Sequence, residues 1–129
     1  MSTLLQALGL SASGMNAQAT RLRHVSENIA NADTPGYRRK TVSFDADMRA
    51  ATPGTVKVGD VSLDRSDLNE IYDPGNPLAG ADGTYQGSNV DILIEIADAR
   101  EAQRSYEANL KVFDQARQMS QGLIELLRR

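Results

Sequence analysis

No cysteine and no tryptophan occur in these 129 residues, and histidine occurs once. The missing thiols exclude a disulfide framework and any thiolate metal site. They also suit a chain that passes into an oxidising space without cross-linking. With no second histidine and no cysteine, His24 has no companions for a transition-metal site and reads as a surface or interface residue. Aromatic residues amount to 5%. Thick cores use more large rings, so stability is expected to come partly from assembly. No apolar run approaches the roughly 20 residues of a membrane span. The N-terminus has neither the charged start nor the continuous apolar stretch of a cleavable secretory signal. Basic excess is absent too: the net charge is -3, which argues against a nucleic-acid footprint.

The charge that is present is unevenly spread. Residues 1–40 carry five basic and two acidic side chains, residues 41–90 three and eight, and residues 91–129 six and seven. An acidic middle thus lies between two near-neutral or basic ends, either as a solvated surface or as a steering patch between copies.

Catalytic signals are missing as well. No phosphate-cradling glycine loop follows a strand, and no Gly-x-Ser-x-Gly elbow occurs. Asp45 and Asp47 are spaced as the solvent side of a strand rather than as an acid/base pair. Asp91, Glu95 and Asp98 share a helix face, where they complement the helix dipole or bind a hard cation. Arg38-Arg39-Lys40 lacks interleaved aromatics and reads as a solvated segment.

What is present is helical periodicity at both ends. Leu8, Met15, Leu22 and Ile29 recur every seven residues, which predicts a one-faced helix over 3–31, with Thr3 as cap and Gln6 completing a capping box. Gly9 and Gly14 loosen its first turns. The run stops at Thr34-Pro35-Gly36-Tyr37, with proline and glycine where a type II turn needs them. A second long helix is expected after a cap at Ser88 or Asn89. Its stripe runs Ile92, Ile96, Ala99, Tyr106, Leu110, Phe113, Ala116, Met119, Leu123 and Leu126, and Arg128 and Arg129 close it. Between the helices, Val42, Phe44, Ala46 and Met48 alternate with polar residues as a short strand. Val56, Val58, Val61 and Leu63 flank Gly59-Asp60, which fits either a two-residue hairpin turn or a bulge in one strand. Leu68 to Tyr72 is a plausible antiparallel partner. The turn-rich stretch Asp73 to Gly83 is expected to be loop.

The fold class that follows is mainly α with a small β part. The terminal helices pair as an antiparallel coiled coil, with a short antiparallel β segment inserted between them. The expected division is residues 1–37 and 88–129 for the helical domain and 38–87 for the insert.

Ser13-Gly14, Ala17, Leu22 and the run Ser26-Glu27-Asn28-Ile29-Ala30-Asn31-Ala32-Asp33-Thr34-Pro35-Gly36-Tyr37 closely resemble the N-terminal signature of bacterial flagellar rod and hook proteins. Ser88-Asn89-Val90-Asp91 and Arg104-Ser105-Tyr106-Glu107-Ala108-Asn109 look like the same family's C-terminal signature, with Ser88 where proline is frequent. The short length and Tyr72 to Ala79 resemble its proximal-rod members. The resemblance implies a structural, non-enzymatic and cofactor-free subunit of the basal-body rod. Such a subunit is exported without signal cleavage and built into a hollow periplasmic shaft that transmits torque and conducts exported subunits. Implied partners are copies of itself, other flagellar rod proteins, a motor-ring adaptor protein and the flagellar type III export apparatus, with no nucleic acid and no direct membrane insertion. The resemblance also favours the bulged strand at Gly59. Expected subunit contacts are Leu8, Met15, Leu22 and Ile29 with Tyr106, Leu110, Phe113 and Leu123. Asn28, Asn31, Pro35, Gly36 and Tyr37 are expected to set the exit from the first helix. A soluble helical adaptor, or another axial subunit of the family, is the alternative reading.

Overall fold

A computed structural model describes residues 3–128. Two long helices frame four short strands. Helix α1 spans Thr3–Ala30 and α2 spans Ile92–Leu127, with β1 (Lys40–Ala46), β2 (Val56–Leu63), β3 (Glu70–Tyr72) and β4 (Thr84–Gln86) between them. Among the described residues no helix is long and apolar enough to cross a membrane.

The two helices run antiparallel in one constant register. Asn28 meets Glu95 through a 3.2 Å side-chain hydrogen bond. Gly14 faces Asn109 so closely that a Cβ there would lie 2.7 Å from the amide nitrogen. These meeting points lie fourteen residues apart on each helix. Glu95, Ala102, Asn109 and Ala116 therefore form a heptad seam on α2, facing Asn28, Arg21, Gly14 and Ala7 on α1. The seam is small and polar rather than bulky and apolar. The buried apolar residues are Ala17, Val25, Val90, Ala102 and Ala116, and they are matched by buried Ser11, His24, Asn28, Ser88 and Glu95. Alanine and glycine let the two backbones approach, which the Leu/Met/Ile positions would prevent. A wedge at Gly14 should therefore be felt. Gly14→Val is expected to cost about 1–3 kcal/mol through overpacking against Asn109. Asn109→Ala should recover most of that loss in the double variant, as read by denaturant unfolding.

Strands β1 and β2 pair antiparallel, with Val42 opposite Val61 and Phe44 opposite Val58. Between these pairs β2 advances one residue further than β1, so Gly59-Asp60 is a bulge inside a continuous strand and not a hairpin turn. The β1 strand ends at Ala46, leaving Met48 in a turn and 88% exposed. The partner expected for Leu68–Tyr72 is different: β3 pairs with β4 in a separate two-stranded sheet, Ile71 opposite Tyr85.

Three capping expectations shift. Thr3 already lies inside α1, so its cap falls outside the described residues. Asp91, not Ser88 or Asn89, caps α2, its carboxylate accepting the Leu93 N–H at 3.0 Å. Ser88 and Asn89 are engaged elsewhere. The Ser88 hydroxyl donates to the Ala32 carbonyl and accepts the Val90 N–H, fastening the end of α1 to the start of α2. The Asn89 side chain accepts the Arg39 N–H at 2.7 Å and donates to the Asp64 carbonyl at 2.9 Å. The helix closes on Arg128 as its C-cap, while Arg129 lies outside the described residues.

Candidate functional site

Just past the end of α1, the Thr34–Tyr37 turn closes with Tyr37 N–H donating to the Thr34 carbonyl at 3.2 Å, and Gly36 takes φ +76°. That angle explains the glycine: nothing lies within 4 Å of a Cβ there, so only backbone strain opposes a side chain. Gly36→Val should destabilise by roughly 1–2 kcal/mol, the cost of a left-handed L-residue. Gly36→Asn should lose less, because asparagine tolerates that region. Thermal unfolding of the two variants reads the difference. Pro35 is exposed at the turn's outer corner.

Behind the turn lies the polar junction that joins all parts of the chain. Asn28 is wholly buried. Its amide donates to the Lys40 carbonyl at 3.0 Å and to Glu95 Oε2 at 3.2 Å. Its carbonyl oxygen accepts the Tyr37 hydroxyl at 2.8 Å and the Lys40 N–H at 2.8 Å. One side chain thus satisfies the first residue of β1 from both sides and aims the ribbon. Burial pushes the Tyr37 hydroxyl pKa up. Asn31 works locally, its amide donating to the Glu27 carbonyl at 2.9 Å and its side-chain oxygen accepting the Thr34 hydroxyl at 3.1 Å.

Arg39 is the charge at the centre. Its Nε sits 2.7 Å from Glu95 Oε1, and its two terminal nitrogens reach Asp64 at 3.5 Å and Asp98 at 3.3 Å. Burial works most strongly against the guanidinium charge, but Glu95, Asp64 and Asp98 together outweigh it and the pKa goes up. Glu95 has no exposed surface at all. Arg21 extends the network, reaching Asp98 at 3.3 Å and Glu101 at 3.5 Å. The triplet after the turn is therefore paired and not free in solvent: Lys40 pairs with Glu27 at 2.8 Å, and Arg38 donates to the Asp64 and Ser66 carbonyls. The Lys40 bond holds Glu27 below the usual carboxylate range, and Glu27 in turn raises Lys40. Bonds from Ser66 lower Asp64. Glu95 and Asp98 are likewise spent on arginines, not on the helix dipole. Among the described residues no acidic or histidine cluster could hold a metal ion.

His24 does not lie on the surface, one of the two positions expected for it. It is buried, 8% exposed, with Nδ1 lacking a hydrogen-bond partner and lying 3.7 Å from Glu27. It faces the junction inside one subunit.

The residues expected to contact neighbours lie beside the seam, not in it. Leu8, Met15 and Leu22 are half-buried and Ile29 is 39% exposed. Tyr106 and Phe113 are half-buried, Leu110 is 40% and Leu123 53% exposed. Each of the four α1 residues follows a seam residue: Ala7, Gly14, Arg21 or Asn28. On α2, Ile96 and Leu110 likewise follow Glu95 and Asn109. One residue turns a helix by about 100°. In an antiparallel pair the opposed directions bring both offsets to the same side. The preceding residues point the other way, to the ribbon: Ser13 Oγ accepts the Val56 N–H at 3.3 Å and Glu27 holds Lys40. The hairpin thus has one side under the ribbon and one open apolar side.

Comparison with known proteins agrees at both ends of the chain. Residues 8–38 match the family described as flagella basal body rod protein, and residues 81–126 match the flagellar basal body rod FlgEFG protein C-terminal family. The flagellar basal-body rod protein FlgC of Agrobacterium fabrum is 48% identical over 136 aligned positions, covering 99% of this chain and 98% of its own. FlgC of Escherichia coli O6:H1 is 37% identical (90% and 92% covered), and FlgC of Bacillus subtilis 35% (96% and 98%). The chain belongs to the flagellar basal-body rod protein family. Within that family it is FlgC-like: a structural subunit of the rod and not an enzyme.

Proposed function

We propose that the open side of the helical hairpin, centred on Leu8, Met15, Leu22, Ile29, Tyr106, Leu110 and Phe113, packs against neighbouring subunits to build a hollow proximal-rod shaft. Leu123 extends that contact. In this reading residues 1–37 and 88–129 act as the shaft-forming unit and 38–87 as an outer insert. Asn28, Asn31, Pro35, Gly36 and Tyr37 fix the exit from the shaft. The partners are copies of the chain and other rod proteins, with the motor-ring adaptor at the base and the type III export apparatus as the route of delivery. The shaft transmits torque and conducts exported subunits through the periplasm.

The observation that carries this reading is where the apolar surface lies. The seam inside one subunit uses alanine, glycine and polar residues, while Ile92, Ile96, Leu110, Met119, Leu123, Ile124, Leu126 and Leu127 of α2 are all at least 40% exposed. A stable interface of roughly 1,200–2,000 Å² would cover such a surface, and a small polar seam alone gives the hairpin little stability. Hydrogen exchange on the isolated protein tests this. Weak protection across both helices that rises on incorporation into basal bodies is expected. Equal, strong protection in the free monomer would refute a hairpin completed by its neighbours.

A further inference from the structure

The open side of the hairpin is a furrow between two rows of large side chains. Leu8, Met15 and Leu22 of α1 stand on one bank, and Ile96 and Leu110 of α2 on the other. Whatever fills such a furrow must present small residues and little charge. Bulk would hold the backbones apart, and a charge would lose its water.

The hairpin has three other sides. One is covered by the ribbon, which Ser13 and Glu27 hold. The back of α2 is charged, with Arg100, Arg104, Glu107 and Lys111 all exposed. The third is the outer face of α1. Between Gly9 and Ser26 the exposed residues are Gly9, Ala12, Asn16, Ala19, Arg23 and Ser26. Their spacings alternate between three and four, so they form one stripe, turned away from α2. Over roughly 26 Å of helix, at 1.5 Å per residue, that stripe carries a single charge, Arg23. Nothing lies within 4 Å of a Cβ built at Gly9. A helix face meant only for water is normally rich in charge. This one has the character of the internal seam, where Gly14, Ala102 and Ala116 let two helices approach.

We infer that the open side of one subunit receives the outer face of α1 of a second copy of this chain. The two surfaces match in size and in charge. Leu8, Met15, Leu22 and Leu110 supply knobs, and Gly9, Ala12 and Ala19 supply the gaps that knobs need. Arg23 has a stem long enough to keep its head at the edge of the contact. The back of α2 does not fit, because its charges would enter an apolar furrow. Two open sides face to face would set large rows on large rows and give a pair that stops at two. Because the furrow and the stripe are different surfaces, each copy gives one and receives the other. Such a contact repeats with one polarity, as a ring or a helical array requires.

This inference rests on the rod reading, and its test keeps the two apart. A leucine-sized diazirine residue replaces Asn16, or Arg23 as a second variant, in cells that still assemble basal bodies. Purified basal bodies are irradiated and the adducts mapped by mass spectrometry. The expected product is a covalent dimer of this chain, joined from the stripe of one copy to Met15, Leu22, Ile96, Tyr106 or Leu110 of the other. In a second arm, Ala19→Glu should lower the number of complete rods at least tenfold at a normal level of the protein. Ala97→Glu, the same exchange on the back of α2, should leave that number near wild type. Adducts to another protein, to the ribbon or to the back of α2, or none in assembled basal bodies, overturn this contact and leave the rod reading standing. Normal rods in Ala19→Glu cells overturn it as well. Failure of the rod reading shows differently, as absence of this chain from purified basal bodies.

Discussion

Arg39→Met is expected to be the most damaging single substitution inside the subunit, lowering stability by about 3–5 kcal/mol in denaturant or thermal unfolding. The reason is the carboxylate it strands. Glu95 has no exposed surface, and without the 2.7 Å contact from Arg39 Nε its remaining polar partner is the Asn28 amide at 3.2 Å. A neutral amide does not replace a cation in a desolvated site. Small domains have about 5–15 kcal/mol in total, so the variant should lose a large share of its stability. Glu95→Leu is expected to cost less. Arg39 retains Asp64 and Asp98 and some solvent, its side chain being 18% exposed. Combining the two should recover most of the loss, because replacing both members of a buried pair by apolar groups is often neutral. Equal costs for the two single variants, with simple additivity in the double, would show that the pair is not coupled. The junction would then be held by Asn28 alone.

The two long helices and the Thr34–Tyr37 turn were legible because each rests on local chemistry. Seven-residue spacing, Pro35-Gly36 and the Gly-Pro-rich stretch after Tyr72 all act within a few residues. The seam was not legible, because hydropathy ranks residues by size. Leu8, Met15, Leu22 and Ile29 are the largest apolar residues in the repeat, yet the contact line runs one position earlier through Ala7, Gly14, Arg21 and Asn28. A usable signal was present: Gly14 and Asn28 are spaced two heptads apart, and so are Glu95 and Asn109. Charged and amide residues at that spacing mark a polar seam. The basic triplet after the turn was misread for a related reason. Nothing near Arg39 in sequence predicts Glu95, which lies 56 residues away. The β3–β4 pairing was missed because three-residue strands carry no periodicity and Thr84–Gln86 is hidden among turn residues. The bulge at Gly59 was one of two readings, and the registers of Val42 and Phe44 decide it.

Charge on the open side of the hairpin should abolish assembly while leaving the subunit folded. Ile29→Glu and Leu110→Glu are the informative pair. Both positions are already about 40% exposed, at 39% and 40%, so a charged side chain remains in water in the free subunit. The expected cost there stays within about 0.5 kcal/mol apart from a small propensity difference. In the assembled shaft the same carboxylates would be trapped in an apolar contact with no cation built to meet them. Several kcal/mol per buried charge is the scale of that penalty. Since 1.4 kcal/mol is tenfold in association, each substitution should weaken subunit addition by roughly two orders of magnitude or more. Cells carrying either variant should make the protein at normal levels yet be non-motile, with basal bodies lacking a complete rod by electron microscopy. Ala97→Glu and Arg104→Glu supply the comparison. Both residues are exposed on α2 away from the Leu110 line, and should leave assembly far less affected. If Ile29→Glu and Leu110→Glu cells swim normally, the open side is not an interface, and the exposed leucines of α2 need a different partner. If all four variants fail alike, the whole outer surface of α2 is engaged, and the hairpin is buried on every side by its neighbours.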